Sequence, residues 1–372
     1  MDVKGSALRL YIQKFVISKS QNMEVPGFLS FNLSGKTPIY ARQILMPEDF
    51  FINLEINLAK KGENAQRLLY SAGKKFGYRF SLLGGFSNYS DKKGSELVNY
   101  INIINKFIEG TYAEKIEFET NPNTKVSKYL MENPVVVNKL GYGYFMPLGA
   151  AAGLMAYIFQ DKSIEGVLEN FDIRSKKGTL LYAPADYLKT QNKKFFKEND
   201  LSDIKPSVDY VDFNRVAQLN YSNYSLKTLL DSKFFTFNNG VITNNDNRYF
   251  ILEVSAMYIL EKELNVYAEE IYDAAFKAGY DTLKDIKKLS VKIIMDYLSA
   301  FGWGDVVIIK ESSKYTINIA HFPYTRLYNE INYSIFSGIL SGMLYAVTKE
   351  RINFNKVQKS ITDNNLSISL FS

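Results

Sequence analysis

The residues able to do chemistry are few in this chain, and their spacing decides what they can do. The most suggestive run is SGKT at 34–37, which matches the end of a phosphate-binding loop. Such a loop needs a glycine five residues before its Gly-Lys so that backbone amides can curl round phosphate, and that position holds Ser30. Pro38 follows at once, where a phosphate loop would continue into a helix, so the run reads as a hairpin turn on Gly35. His321, the only histidine, lies in the strand-like run INIAHFPYTR. A lone imidazole can serve as a base or touch a ligand, but no Gly-x-Ser-x-Gly elbow and no second histidine accompany it. We expect it as a pocket contact. Ser90 and Lys93 give a Ser-x-x-Lys match in a loop, a pattern that chance supplies. Acidic residues, as in LEKELN and YAEEIYD, read as single charges on solvated helix faces. The absence of cysteine removes disulfides, thiolate metal sites and cysteine nucleophiles together. On these residues we expect no catalysis, no cofactor and no metal.

Composition narrows the classes further. The 372 residues suffice for two or three domains, with 23% charged side chains and a mean hydropathy of -0.16. The formal charge of +6 is spread over lysine pairs at 60–61, 74–75, 92–93, 193–194 and 287–288, without a run of five like charges. No helix-turn-helix, zinc finger or aromatic RNA-binding signature is visible, so nucleic acid is not the expected partner. Among the first twenty residues, Lys14 and Lys19 interrupt what would be the apolar core of a signal sequence, so the cytoplasm is the expected compartment. Without a secretory signal, the Asn-x-Ser matches at Asn88, Asn220, Asn223 and Asn332 carry no weight.

The elements that would position any site occur twice. YSAGKKFGY at 70–78 aligns with YDAAFKAGY at 272–280. Each follows a helical stretch with apolar residues three and four apart, and each precedes a second amphipathic helix, at 97–107 and 291–298. A strand then follows (KIEFET, DVVIIKE), then an apolar run with paired glycines, Gly149/Gly153 and Gly338/Gly342, then a β-rich closing segment. Before the first helix, SFNLSGKTPIYARQ and FTFNNGVITNNDNRYFIL read as hairpins turning on Gly35 and Gly240. We expect an α+β fold present twice, with domains at 1–187 and 210–372 and a polar linker at 188–209.

The glycine-paired runs raise the question of a membrane, because residues 140–160 carry no charge over about the length a bilayer demands. Pro147 and two further glycines, Gly141 and Gly143, interrupt that run, and β segments flank both. A Gly-xxx-Gly ridge lets a second backbone approach closely in a soluble core as well as in lipid, so two buried helices are expected.

The second half, with AEEIYDAAFKAGYDT, LSAFGWGDVVIIKES and FSGILSGMLYAVTKERINFNKVQKS before a closing strand, resembles the 4-vinyl reductase (4VR) domain. That domain is related to sensor domains of aromatic-responsive bacterial activators and is similar in fold to small TRAPP vesicle-tethering subunits, which hold an acyl chain. The resemblance covers 235–371; the first half fits more loosely, with Tyr112 where the second has Trp303. It implies an antiparallel sheet packed with a helical layer, a tendency to dimerise, and a small hydrophobic molecule lodged between helices and sheet. Members that bind zinc use cysteines near the last helix and closing strand, where this chain has Ser360 and Ile368, so no metal is implied.

Under that resemblance the 27 tyrosines and 26 phenylalanines become informative, because many fall where the fold would enclose a cavity. The pocket candidates are Tyr258, Tyr297, Trp303, His321, Phe322, Tyr324, Phe336 and Met343 in the second half, and Phe107, Tyr112, Phe118, Tyr144, Phe145 and Met155 in the first. The expected function is a non-catalytic sensor: two fused domains pair internally, bind an apolar, aromatic or acyl molecule, and pass its occupancy to a protein partner. Two alternatives stay open. One is a scaffold or adaptor whose cavity its own side chains fill, and the other is a basic DNA-associated regulator.

Overall fold

The computed structural model describes residues 21–32, 40–201, 223–238, 240–245, 247–286, 288–311, 314–324, 331–362 and 365–371. The expected turn at 34–37, the first twenty residues, Asn220, Lys287 and the later part of the expected linker lie outside them. In chain order come β1 (Gln21–Asn22), β2 (Leu29–Asn32), β3 (Tyr40–Pro47), α1 (Glu48–Ala59), α2 (Glu63–Leu83), α3 (Gly94–Ile108), β4 (Lys115–Asn121), β5 (Val126–Glu132), α4 (Val137–Leu140), α5 (Phe145–Ile158), β6 (Ile164–Asp172), β7 (Lys177–Pro184) and α6 (Ala185–Thr190). They are followed by α7 (Leu226–Asp231), β8 (Thr236–Asn238), β9 (Val241–Asn244), β10 (Asn247–Glu253), α8 (Ser255–Glu263), α9 (Ala268–Leu283), α10 (Val291–Ala300), β11 (Asp305–Glu311), β12 (Lys314–Ala320), α11 (Ser334–Thr348), β13 (Val357–Thr362) and β14 (Asn365–Phe371). The fold is α+β with antiparallel sheets.

Two compact units cut across the expected boundaries: 59–201 builds one, and 21–58 joins 223–237 and 242–371 in the other. The reason is strand pairing. β3 runs antiparallel to β10, from Gln43 opposite Glu253 to Pro47 opposite Tyr249, giving a six-stranded sheet of order β1-β2-β3-β10-β9-β8. A hairpin edge left unpaired would expose its backbone groups, and each hairpin covers the other's edge. The early part of the expected linker also belongs to the first unit. Leu188 of α6 is buried with Val167, Leu181 and Ala183, and Phe195 packs against that cluster.

Each unit has its own four-stranded sheet, and the strand order is the same, β4-β5-β7-β6 in the first and β11-β12-β14-β13 in the second. β5 alternates buried and exposed residues, the pattern of a sheet with one face on a core. The glycine-paired helix, α5 or α11, lies along α2 or α9 in backbone contact. A Cβ on Gly149 would stand 2.1 Å from the Tyr70 carbonyl oxygen, and one on Gly153 would stand 2.7 Å from the Tyr78 amide nitrogen. In the second unit, Gly338 would meet the Tyr272 carbonyl oxygen at 2.5 Å and Gly342 the Tyr280 amide nitrogen at 2.7 Å. Tyr70 and Tyr78 align with Tyr272 and Tyr280, so the same backbone atoms meet in both units. No side chain larger than hydrogen fits there. Among the described residues, no helix is long and apolar enough to cross a membrane.

Candidate functional site

The second unit gathers four of the expected pocket residues. Trp303 follows α10 between Gly302 and Gly304, whose φ angles of +90° and +101° only glycine adopts without strain. That turn is fixed from β3: the Arg42 guanidinium donates to the carbonyl oxygens of Gly27 and Gly302, each at 3.3 Å, and lies 4.5 Å from the centre of the Phe28 ring. Trp303 thereby points at Phe336 of α11, with ring centres 5.1 Å apart, and at Phe322, 5.8 Å away. Tyr324 stands 4.8 Å from Phe322 and stacks on Tyr333 at 5.7 Å. Trp303, Phe322, Tyr324 and Phe336 are each 1% exposed or less. These rings pack against one another.

The other candidates go elsewhere. Met343 is buried on α11, and Tyr258 is buried on α8 beneath Lys262. Tyr297 belongs to a separate stack, 4.7 Å from Phe234 and 6.3 Å from Phe301. His321 is exposed at the end of β12 with φ +59°, its ring 5.7 Å from Phe28. Partial desolvation and then the Arg42 charge hold its imidazole below the ordinary value, with Asp305 opposing.

In the first unit, Tyr144 reaches the Met131 sulfur at 3.8 Å, and Met155 is met by the Tyr129 hydroxyl at 4.0 Å. Phe118 stacks on Tyr129 at 5.7 Å. Phe145 packs on Phe196 at 5.4 Å, while Phe107 and Tyr112 are half-buried.

Sequence reasoning missed three buried polar groups. On α2, Lys74 is wholly buried, and its ammonium is 2.8 Å from Glu165 Oε1, 3.0 Å from the Lys162 carbonyl oxygen and 2.7 Å from that of Glu198. Three acceptors around one nitrogen match the three N–H groups of an ammonium. Burial pulls Lys74 down and Glu165 up, and each charge opposes the other's shift. Tyr70 donates to Glu165 Oε2 at 2.7 Å and accepts the Gly166 amide. A lysine four residues after a tyrosine, on the face that carries the glycine notch, was the readable signal.

Glu261, expected on a solvated face, is instead buried on α8. Its carboxylate accepts the amides of Ser334 at 2.9 Å and Ile335 at 3.1 Å, capping the start of α11. Burial, then its charge, pushes Tyr324 and Tyr333 up, so both stay neutral.

A groove of about 350 Å³ opens in the second unit, lined by Glu269, Tyr272, Asp273 and Phe276 of α9 and by 351–355 after α11. None of the expected pocket residues lines it. Its floor is aromatic, with Tyr272 and Phe354 rings 5.6 Å apart and the Arg351 guanidinium 5.5 Å from the Phe276 ring. Among the described residues, no group of three histidine, aspartate or glutamate side chains is placed to hold a metal ion. No protein-family model matches the chain, and no curated protein matches its sequence.

Proposed function

We propose that this protein is an adaptor built from two copies of a 4VR-like domain, with an interior filled by its own aromatic side chains and a surface that does the binding. The duplication is supported by the repeated strand order and by the helix contacts at equivalent glycines. The observation that carries the adaptor reading is the Trp303–Phe322–Tyr324–Phe336 cluster, whose rings touch where a ligand would lie. Trp303 is the only tryptophan, so its fluorescence reports on that space. Titration with aromatic acids and fatty acids leaves the emission unchanged if the interior is filled, and a saturable shift or quench overturns the reading.

One observation favours the sensor reading instead. The Trp303 Nε1 donor is buried with no hydrogen-bond partner among the described residues. A small aromatic molecule bearing an acceptor would satisfy it, and the same titration would then saturate.

A further inference from the structure

The two units treat one surface differently, and the difference identifies what the open one lacks. In the first unit, residues 193–201 lie across α2. Phe196 sits 5.9 Å from Tyr70 and 5.4 Å from Phe145. Glu198 is held at every polar atom of its peptide unit: its amide donates to Glu165 Oε1 at 2.9 Å, its carbonyl oxygen accepts Lys74, and its carboxylate accepts the Ser71 hydroxyl. The residues that receive this segment are therefore Tyr70, Ser71 and Lys74.

Their equivalents, by the alignment of 70–78 with 272–280, are Tyr272, Asp273 and Phe276. All three line the groove. The far wall corresponds as well. Gln160 and Lys349 each follow a glycine-paired helix in the left-handed conformation, with φ of +52° and +63°. Two residues later come Lys162, whose carbonyl oxygen also accepts Lys74, and Arg351, which lines the groove. The groove thus lies in the second unit where 193–201 is seated on the first.

Its charge is reversed. Ser71 becomes Asp273, Lys74 becomes Phe276, and Glu269 lies one helical turn before Asp273. Two carboxylates, Glu269 and Asp273, line the groove with one guanidinium, Arg351. Partial desolvation and then Glu269 hold the Asp273 carboxyl above its ordinary range, with Arg351 opposing, and a cation beside it would offset both effects. The side-chain amides of Asn353 and Asn355 offer donors and acceptors to a peptide backbone.

We propose that this groove docks an extended peptide of a partner protein, seated as 193–201 is seated on the first unit and carrying a basic side chain where that segment carries Glu198. The proposal rests on the adaptor reading and names the class of partner.

The test uses the full chain and labelled nine-residue peptides in fluorescence anisotropy. One peptide has the sequence of 193–201, a second carries Glu198→Lys, and a third scrambles the second. The second peptide is expected to bind about tenfold tighter than either of the others, with an affinity that falls as salt is added. The double variant Glu269→Lys/Asp273→Lys changes exposed side chains and leaves Trp303 emission as a check on folding; it should lose that preference or invert it. Equal binding of the three peptides, preference for the unmodified sequence, or no binding at all overturns the proposal. Those outcomes leave the adaptor reading standing if the protein is free of small molecules, whereas a molecule found among the Trp303 rings overturns the adaptor reading alone.

Discussion

Gly342 offers the sharpest test of how the second unit is held together. A Cβ there would stand 1.9 Å from the Phe276 carbonyl oxygen and 2.7 Å from the Tyr280 amide nitrogen. Neither atom can rotate away, because both belong to the backbone of α9. Gly342→Ala must therefore push α11 away from α9 by about 1.5 Å to reach ordinary contact, and a gap of about 1 Å already forfeits up to half of the dispersion energy between facing atoms. Overpacking costs about 1–3 kcal/mol, and a backbone clash belongs at the upper end. Alanine returns about 1 kcal/mol through its helix propensity. The net loss is about 2 kcal/mol, which lowers a urea midpoint by about 1 M at a typical slope. Trp303 packs on Phe336 of the same helix, so its emission follows the transition of this unit. A midpoint within about 0.2 M of wild type would refute the claim that glycine is required for contact between the two helices.

Three further outcomes follow, two from buried polar groups and one from His321. Lys74→Met leaves Glu165 buried without its cation and is expected to cost about 3–5 kcal/mol, read by far-UV circular dichroism in urea, whereas Lys74→Met/Glu165→Gln recovers part of that loss. Glu261→Ala strands the Ser334 and Ile335 amides at the start of α11 and is expected to cost about 1–3 kcal/mol, seen as a lower Trp303 midpoint. The His321 imidazole, the only one in the chain, should titrate by NMR below its ordinary value of about 6.5. Because its folded value is depressed, the unfolded chain binds the proton first as pH falls. Stability from this group is therefore complete above about pH 6.5 and declines as pH drops through the folded value, a loss that His321→Asn abolishes. A midpoint at or above the ordinary value contradicts the argument.

Much of the architecture was legible because it rests on local patterns. The repeat of 70–78 at 272–280 and the paired glycines located the four helices that make backbone contact, and the predicted strands KIEFET and DVVIIKE became β4 and β11. What escaped depends on partners far along the chain. β3 finds β10 some two hundred residues away, so the hairpin at 29–47 joined the second unit rather than the first. Phe195, Phe196 and Glu198 sit in a charged stretch with the composition of a linker, and residues far along the chain give them a place: the Val167 and Leu181 cluster for Phe195, Tyr70 for Phe196, and Ser71 and Lys74 for Glu198.

The aromatic set was legible only in part. Trp303, Phe322, Tyr324 and Phe336 converge, whereas Tyr297 turns toward Phe234 and His321 toward Phe28. Residue type announces burial, but whether rings line a cavity or fill it depends on distances of an ångström or two. The groove was invisible for the opposite reason, since Glu269 and Asp273 look like ordinary solvated charges until Arg351 is placed across from them.

Native mass spectrometry of the freshly purified 372-residue chain tests the central claim most directly, because a molecule held among the Trp303 rings would survive gentle ionisation. The filled interior predicts the mass of the bare polypeptide alone. A second species heavier by the mass of a small apolar compound, released by organic solvent and absent in Trp303→Ala, would contradict it.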